Sequence, residues 1–123
     1  MKKRFRKTEK PFESFRGKLM NKILKSRIPD ICRLCKELRV ARIYAFGSCV
    51  SGNFSKESDL DFLIRFSDKL SVDDYTDNYF LLHYKLRELF DREVDITTER
   101  SLSNPFFVES VNKTRELLYE ERN

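Results

Sequence analysis

Three aspartates and one glycine–serine pair carry the chemistry that can be read from this chain. Asp59 and Asp61 stand two residues apart in the run Asp59-Leu60-Asp61-Phe62-Leu63-Ile64, and Asp95 follows 34 residues later in Val94-Asp95-Ile96. On an extended strand, side chains at i and i+2 project to the same face, roughly 6.5–7 Å apart along the backbone. Two carboxylates so placed can converge on a hard cation such as Mg²⁺, and a third acid from a neighbouring strand would complete the set. The interval from Asp61 to Asp95 is long enough for a helical excursion that returns to the same sheet. Gly47-Ser48 lies where an apolar strand gives way to a turn. Glycine there permits close backbone approach, free N–H groups at a helix start favour anions, and the Ser48 hydroxyl can donate a further hydrogen bond. Gly52 suits a second tight position in the same turn. Carboxylates for metal ions beside a phosphate cradle are what phosphoryl or nucleotidyl transfer requires: charge neutralisation and alignment of an in-line displacement. Singly the signals are ordinary, since Gly-Ser is a common turn and Asp-x-Asp is often a solvated strand face.

The elements that must position these residues follow from hydrophobic periodicity. Pro29-Asp30 opens a helix running to about Leu38, proline being suited to a first turn. Ala41–Phe46 is a short apolar strand, Ser48–Gly52 a turn or short helix, and 53–58 a polar loop. Asp59–Phe66 alternates strictly, with Leu60, Phe62, Ile64 and Phe66 on a buried face and Asp59, Asp61, Leu63 and Arg65 opposite. Residues 71–90 repeat apolar side chains at Val72, Tyr75, Tyr79, Leu82, Leu86 and Leu89, a helix with Ser71 as N-cap. Glu93–Thr97 forms a further strand. Asn104-Pro105 opens a last helix that carries Phe107, Val108, Val111, Leu117 and Leu118 towards the core. Residues 12–27 suggest a further helix with Phe12, Phe15, Leu19 and Ile23 on one side. The expected fold is a small α/β (α+β) domain, a mixed sheet of about three to four strands with helices packed mainly on one side.

Size and charge bound the rest. A chain of 123 residues is one domain, and its 11 Phe and 5 Tyr supply a core. No apolar run reaches the roughly 18–20 residues of a membrane span, and the basic N-terminus lacks the apolar stretch of a secretory signal, so a cytoplasmic location is expected. The net charge of +5 is uneven. Residues 1–27 hold eleven Lys and Arg against two Glu, whereas residues 28–123 hold fourteen against eighteen acids. A basic arm (1–27) thus precedes a mildly acidic domain (28–123). The arm could touch RNA, an acidic partner or a second subunit, or serve as a solvated leader, and nothing fixes the oligomeric state. Cys32, Cys35 and Cys49 are an odd set; Cys32 and Cys35 read as buried thiols on a helix face rather than a metal or redox pair. His83, within a helix, reads as packing or surface.

Taken together, Phe46-Gly47-Ser48-Cys49-Val50-Ser51-Gly52, Ser58-Asp59-Leu60-Asp61-Phe62-Leu63-Ile64 and Val94-Asp95-Ile96 resemble the DNA polymerase β-like nucleotidyltransferase superfamily, in particular its minimal nucleotidyltransferase (MNT) group. The resemblance spans roughly residues 28–123. It implies that Asp59 and Asp61 ligate two Mg²⁺ ions (Mn²⁺ being an alternative), that Asp95 ligates the catalytic one and helps deprotonate an acceptor hydroxyl, and that Gly47, Ser48 and Gly52 hold the phosphates of ATP. Many minimal members carry a basic residue just before the second glycine, where this chain has Ser51.

The same resemblance implies a partner, since minimal members are commonly paired with helical HEPN proteins as toxin–antitoxin systems. In the pairs that use chemistry, the antitoxin places AMP on a toxin tyrosine, and the resemblance implies that role here. Two alternatives remain at this level: a small-molecule nucleotidyltransferase of the aminoglycoside-modifying type, and a non-catalytic antitoxin that acts by binding alone.

Overall fold

The computed structural model describes residues 22–51 and 59–122. Most of the expected helix at 12–27, the loop at 53–58, and Gly52 lie outside these. Residues 22–26 are helical and lead through Arg27 into α1 (Ile28–Leu38), with Pro29 in its first turn as expected. Strand β1 (Val40–Phe46) follows, then the four-residue helix α2 (Ser48–Ser51) and β2 (Leu60–Phe66). Helix α3 (Val72–Phe90), strand β3 (Val94–Thr98), a 3₁₀ turn at Glu99–Ser101, helix α4 (Pro105–Thr114) and strand β4 (Glu116–Glu120) complete the order. The sheet runs β3-β2-β1-β4; β1 is antiparallel to both its neighbours, and β2 is parallel to β3. The parallel pair is connected through α3, as such a crossover requires.

Local chemistry explains the ends of the helices. The Ser71 hydroxyl accepts from the Asp74 N–H at 3.2 Å, with Asp73 and Asp74 in the first turn of α3. The Asn104 carboxamide accepts from the N–H groups of Phe106 and Phe107 at the start of α4, next to Pro105. One face of the sheet packs against α1 and α3 through Ile31, Cys35, Ile43, Phe62, Ile64, Leu82 and Leu86, and Leu24 joins this cluster. Tyr79 and His83 tie α3 to β3, through the Tyr79 hydroxyl to the Ile96 carbonyl at 3.2 Å and the His83 Nε2 to the Val94 carbonyl oxygen at 2.7 Å.

Four expectations need correction. The last helix stops at Thr114 because Arg115 turns extended (φ −61°, ψ 138°), and Leu117 and Leu118 lie on β4. The spacing 107, 111, 114, 118 fits a helix equally well, but the open edge of β1 takes the backbone of 116–120 as a fourth strand. Leu118 is buried, whereas Leu117 is exposed. Second, Leu63 shares the strand face of Asp61 yet is fully buried, under α4 in a smaller cluster with Phe46 and Val111. The acid-bearing face is therefore covered along part of its length. Third, Val72 is exposed, in the first turn of α3 and outside the core. Fourth, β2 begins at Leu60, so Asp59 lies just before the strand and is exposed.

Candidate active site

The site is assembled where β1 ends. Gly47 takes φ +80°, a conformation that side-chain-bearing residues rarely adopt, and so turns the chain from β1 into α2. The Val50 N–H donates to the Gly47 carbonyl at 3.0 Å, and the buried Cys49 thiol, 3.4 Å from the Phe46 carbonyl oxygen, plugs the turn onto the sheet. Burial pushes the Cys49 thiol up to about 11, so it stays protonated.

Strand register then brings the acids to this corner. Phe46 is the antiparallel partner of Asp61, and Asp61 is the parallel partner of Asp95. Gly47, Asp61 and Asp95 thus stand side by side on three adjacent chain segments at one end of the sheet. The contact between Gly47 and Asp61 is close: a Cβ built on Gly47 would fall 2.8 Å from Asp61 Oδ2. Asp59 lies two residues before Asp61, and both Asp59 and Asp95 are exposed, whereas Asp61 is partly buried.

Electrostatics single out Asp61. Its carboxyl is pushed up to about 6, first by burial, then by the negative charges of Asp95 and Asp59. Among the described residues none of the three aspartates forms an ion pair. Nor do the described residues gather three His, Cys, Asp or Glu side chains into a ready metal cage. Uncompensated carboxylates repel, and a hard oxygen-only donor set is the kind that suits Mg²⁺ or Mn²⁺, so the residues fit a divalent cation by chemical type.

One participant escaped the sequence reading. The Gly47 N–H donates to the Thr114 hydroxyl at 2.8 Å, and that hydroxyl lies 3.3 Å from the Ser110 carbonyl oxygen one helical turn earlier. The last turn of α4 therefore clamps the glycine turn, and the Gly47 amide is already engaged. The N–H groups left to meet an anion are those of Ser48 and Cys49, which have no partner within so short a helix. No local motif marks Thr114; only the packing of α4 across the sheet brings it near. Gly52 lies outside the described residues.

A family model for the nucleotidyltransferase domain matches residues 20–118. The chain belongs to the nucleotidyltransferase domain family. By that membership it is an enzyme of the nucleotidyltransferase class. A relative from Methanocaldococcus jannaschii, named as a candidate protein adenylyltransferase, is 29% identical over 99 residues, covering 76% of this chain and 95% of the relative. Among solved structures, a candidate minimal nucleotidyltransferase is 28% identical with a TM-score of 0.60, covering 77% of this chain and 92% of the other. A toxin–antitoxin complex with AMP-PNP is 25% identical with a TM-score of 0.59, covering 77% of this chain and 74% of that one. The four-stranded mixed sheet is thus the minimal nucleotidyltransferase fold. Among the described residues, no helix of this nucleotidyltransferase is long and apolar enough to cross a membrane.

Proposed function

We propose that this nucleotidyltransferase moves AMP from ATP onto a hydroxyl group, the tyrosine of a HEPN-type toxin partner, and so acts as the antitoxin of a pair. The observation that carries the reading is the Asp61 corner: a partly buried carboxylate beside Gly47 on one side and Asp95 on the next strand, pushed up to about 6 by burial and by the charges of Asp95 and Asp59. Support for the adenylyl group and the partner comes from the relatives, one named for protein adenylyl transfer and one seen in a toxin–antitoxin complex with an ATP analogue.

In this reading Asp59, Asp61 and Asp95 would hold Mg²⁺. Bound ions would neutralise phosphate charge and align the attacking and leaving oxygens. The Ser48 hydroxyl and the N–H groups of its turn bind the β- and γ-phosphates, and Gly52 closes the same turn. Gly47 keeps the turn against Asp61, its own amide being given to the Thr114 hydroxyl. The acceptor oxygen attacks the α-phosphorus, the bond to the β-phosphate bridge breaks, and pyrophosphate departs. Asp95, exposed beside Asp61, takes the proton of the acceptor hydroxyl.

The test is transfer of label from α-phosphate-labelled ATP with Mg²⁺ into a lysate of the source cell, comparing wild type with Asp61→Asn. A labelled protein band present only with wild type, and sensitive to tyrosine substitution in that protein, supports the proposal. Label in a small molecule or RNA would retain the enzyme and remove the antitoxin chemistry. Failure to transfer with any nucleoside triphosphate, with either Mg²⁺ or Mn²⁺, would leave a protein that acts by binding.

A further inference from the structure

Three chain segments meet at the end of the sheet away from Gly47. The Ser67 N–H donates to the Arg39 carbonyl at 2.8 Å, the Leu70 N–H to the Ser67 carbonyl at 3.2 Å, and the Glu121 N–H to the Ala41 carbonyl at 2.8 Å. These bonds draw together the α1–β1 joint, the β2–α3 turn and the end of β4. Between them is a cleft of about 580 Å³, within the range of small-ligand sites. All of β1 separates it from Gly47, roughly 20 Å at the rise of an extended strand. It is a different place from the candidate reaction site.

Four cations line this cleft: Lys36 and Arg39 from the α1–β1 joint, Lys69 from the turn, and Arg122 beyond β4. The two arginines differ in their partners from most of the other described arginines. Arg27 and Arg33 meet Asp30, Arg42 meets Glu99, Arg65 meets Asp68 and Arg87 meets Glu93, while Arg100 and Arg115 lie over the rings of Tyr75 and Tyr44. Among the described residues, Arg39 and Arg122 form no ion pair or ring contact, and neither do Lys36 and Lys69. Two acids also border the cleft, Glu120 and Glu121, but Glu120 is drawn to Arg42 at 3.6 Å. Cys35 lies in the wall and adds no opposing charge, because burial pushes its thiol up to about 12.

The backbone of Arg39 supplies a second, independent observation. It caps α1 in the left-handed region, φ 62° and ψ 38°, where glycine or asparagine is the usual occupant. The helix dipole accounts for a basic residue in the last turn of α1, where Lys36 sits. It does not account for an arginine at a left-handed position where any Cβ is disfavoured, nor for Lys69 and Arg122 arriving from two other segments.

We propose that this cleft is a second anion site, which takes a small phosphate-bearing ligand such as the polyphosphate tail of a nucleotide or free inorganic polyphosphate. Its dimensions favour a small ligand over RNA. An RNA backbone would need a longer tract of free cations, and the described arginines flanking the cleft are already paired.

Calorimetric titration of the full chain with inorganic tripolyphosphate tests this, using wild type, Ser48→Ala, Arg39→Gly and Lys69→Ala. Ser48→Ala, which impairs the reaction site, should leave tripolyphosphate binding at the cleft intact. Arg39→Gly and Lys69→Ala should each weaken that binding by about tenfold, the weight of a charge-assisted hydrogen bond. Because glycine suits the left-handed cap, Arg39→Gly should keep or raise the melting temperature, so a loss of binding is not a loss of fold. Equal affinity for ATP and tripolyphosphate at the cleft would identify the nucleotide tail as a ligand; tripolyphosphate alone would identify the inorganic form. Binding that is absent, or unchanged in both cleft variants, overturns the proposal. So does a single-stranded RNA that occupies the cleft and is not displaced by tripolyphosphate. None of these outcomes depends on whether AMP is transferred to a tyrosine.

Discussion

Gly47 and Asp61 approach so closely that a single added methyl group at Gly47 would lie 2.8 Å from the Asp61 carboxylate oxygen. The φ of +80° at Gly47 adds a second objection to any side chain. Gly47→Ala is therefore expected to destabilise the fold by about 1–3 kcal/mol, combining the left-handed penalty with displacement of Asp61. Its effect on transfer should be larger, about 100-fold in kcat/KM, since a small misplacement of a metal-binding carboxylate disturbs the whole alignment. Urea denaturation alongside steady-state kinetics separates the two. Wild-type kinetics in Gly47→Ala would show that Asp61 does not need this position.

Asp61 itself makes stability depend on pH. Its folded-state value of about 6 lies above the roughly 3.9 of an unfolded aspartate, so the folded chain binds this proton more tightly. The stability it contributes is full below about pH 4 and is lost as pH rises through about 6. At pH 7.5 without divalent metal, Asp61→Asn should therefore be more stable than wild type, by about 1–2 kcal/mol after solvent screening of a half-buried group. By pH 4 the difference should vanish. Mg²⁺ should raise the wild-type melting temperature at pH 7.5 and leave Asp61→Asn nearly unmoved, because only the former offers the charge that binding rewards. Thermal unfolding in chelator and in Mg²⁺, from pH 4 to 8, reads both effects; a variant no more stable than wild type at pH 7.5 contradicts them.

Thr114 offers a subtler perturbation. Its hydroxyl accepts the Gly47 N–H at 2.8 Å, so Thr114→Val, nearly isosteric, removes the acceptor while keeping the packing of α4. A cost of about 1 kcal/mol in stability is expected, with Thr114→Ser close to wild type. In kinetics, KM for ATP should rise several-fold with little change in kcat, since the loosened turn affects phosphate binding before it affects the acids. A fall in KM would instead mean that the hydroxyl competes with a phosphate oxygen for the same amide.

How much of this was legible beforehand depended on whether a feature is local. The Ser71 cap, the Pro29 start and the alternation of Leu60, Phe62, Ile64 and Phe66 are set by neighbours within a turn or a strand, and the structure has them as expected. The juxtaposition of Asp61 with Asp95 was legible because parallel pairing through a helical crossover restricts where a lone acid in an apolar strand can land. Strand β4 was not, because Val111 and Leu118 fit a helical period and only the unpaired edge of β1 decides otherwise. The burial of Leu63 depends on α4 crossing the second face, and the Thr114 clamp depends on the same placement. Both are tertiary contacts over long sequence separations, which periodicity does not encode.

Arg42 and Glu99 belong to that tertiary class and give the last expectation. The guanidinium of Arg42, on β1, meets both carboxylate oxygens of Glu99, beyond β3, at 2.6 and 2.7 Å, with both side chains partly buried. Glu120 stands 3.6 Å away on the other flank and supplies a weaker second partner. This bidentate pair bridges strands that are not adjacent in the sheet, β1 and β3 lying on either side of β2. A double-mutant cycle with Arg42→Ala and Glu99→Ala should return a coupling of about 1–2 kcal/mol, above the usual surface pair because the geometry is bidentate and partly shielded. Glu99→Ala alone should be the milder change, since Arg42 keeps Glu120, whereas Arg42→Ala leaves two carboxylates facing each other. If the two single variants are equal and additive, the strap contributes no coupling, and the sheet is held by its ladders and core alone.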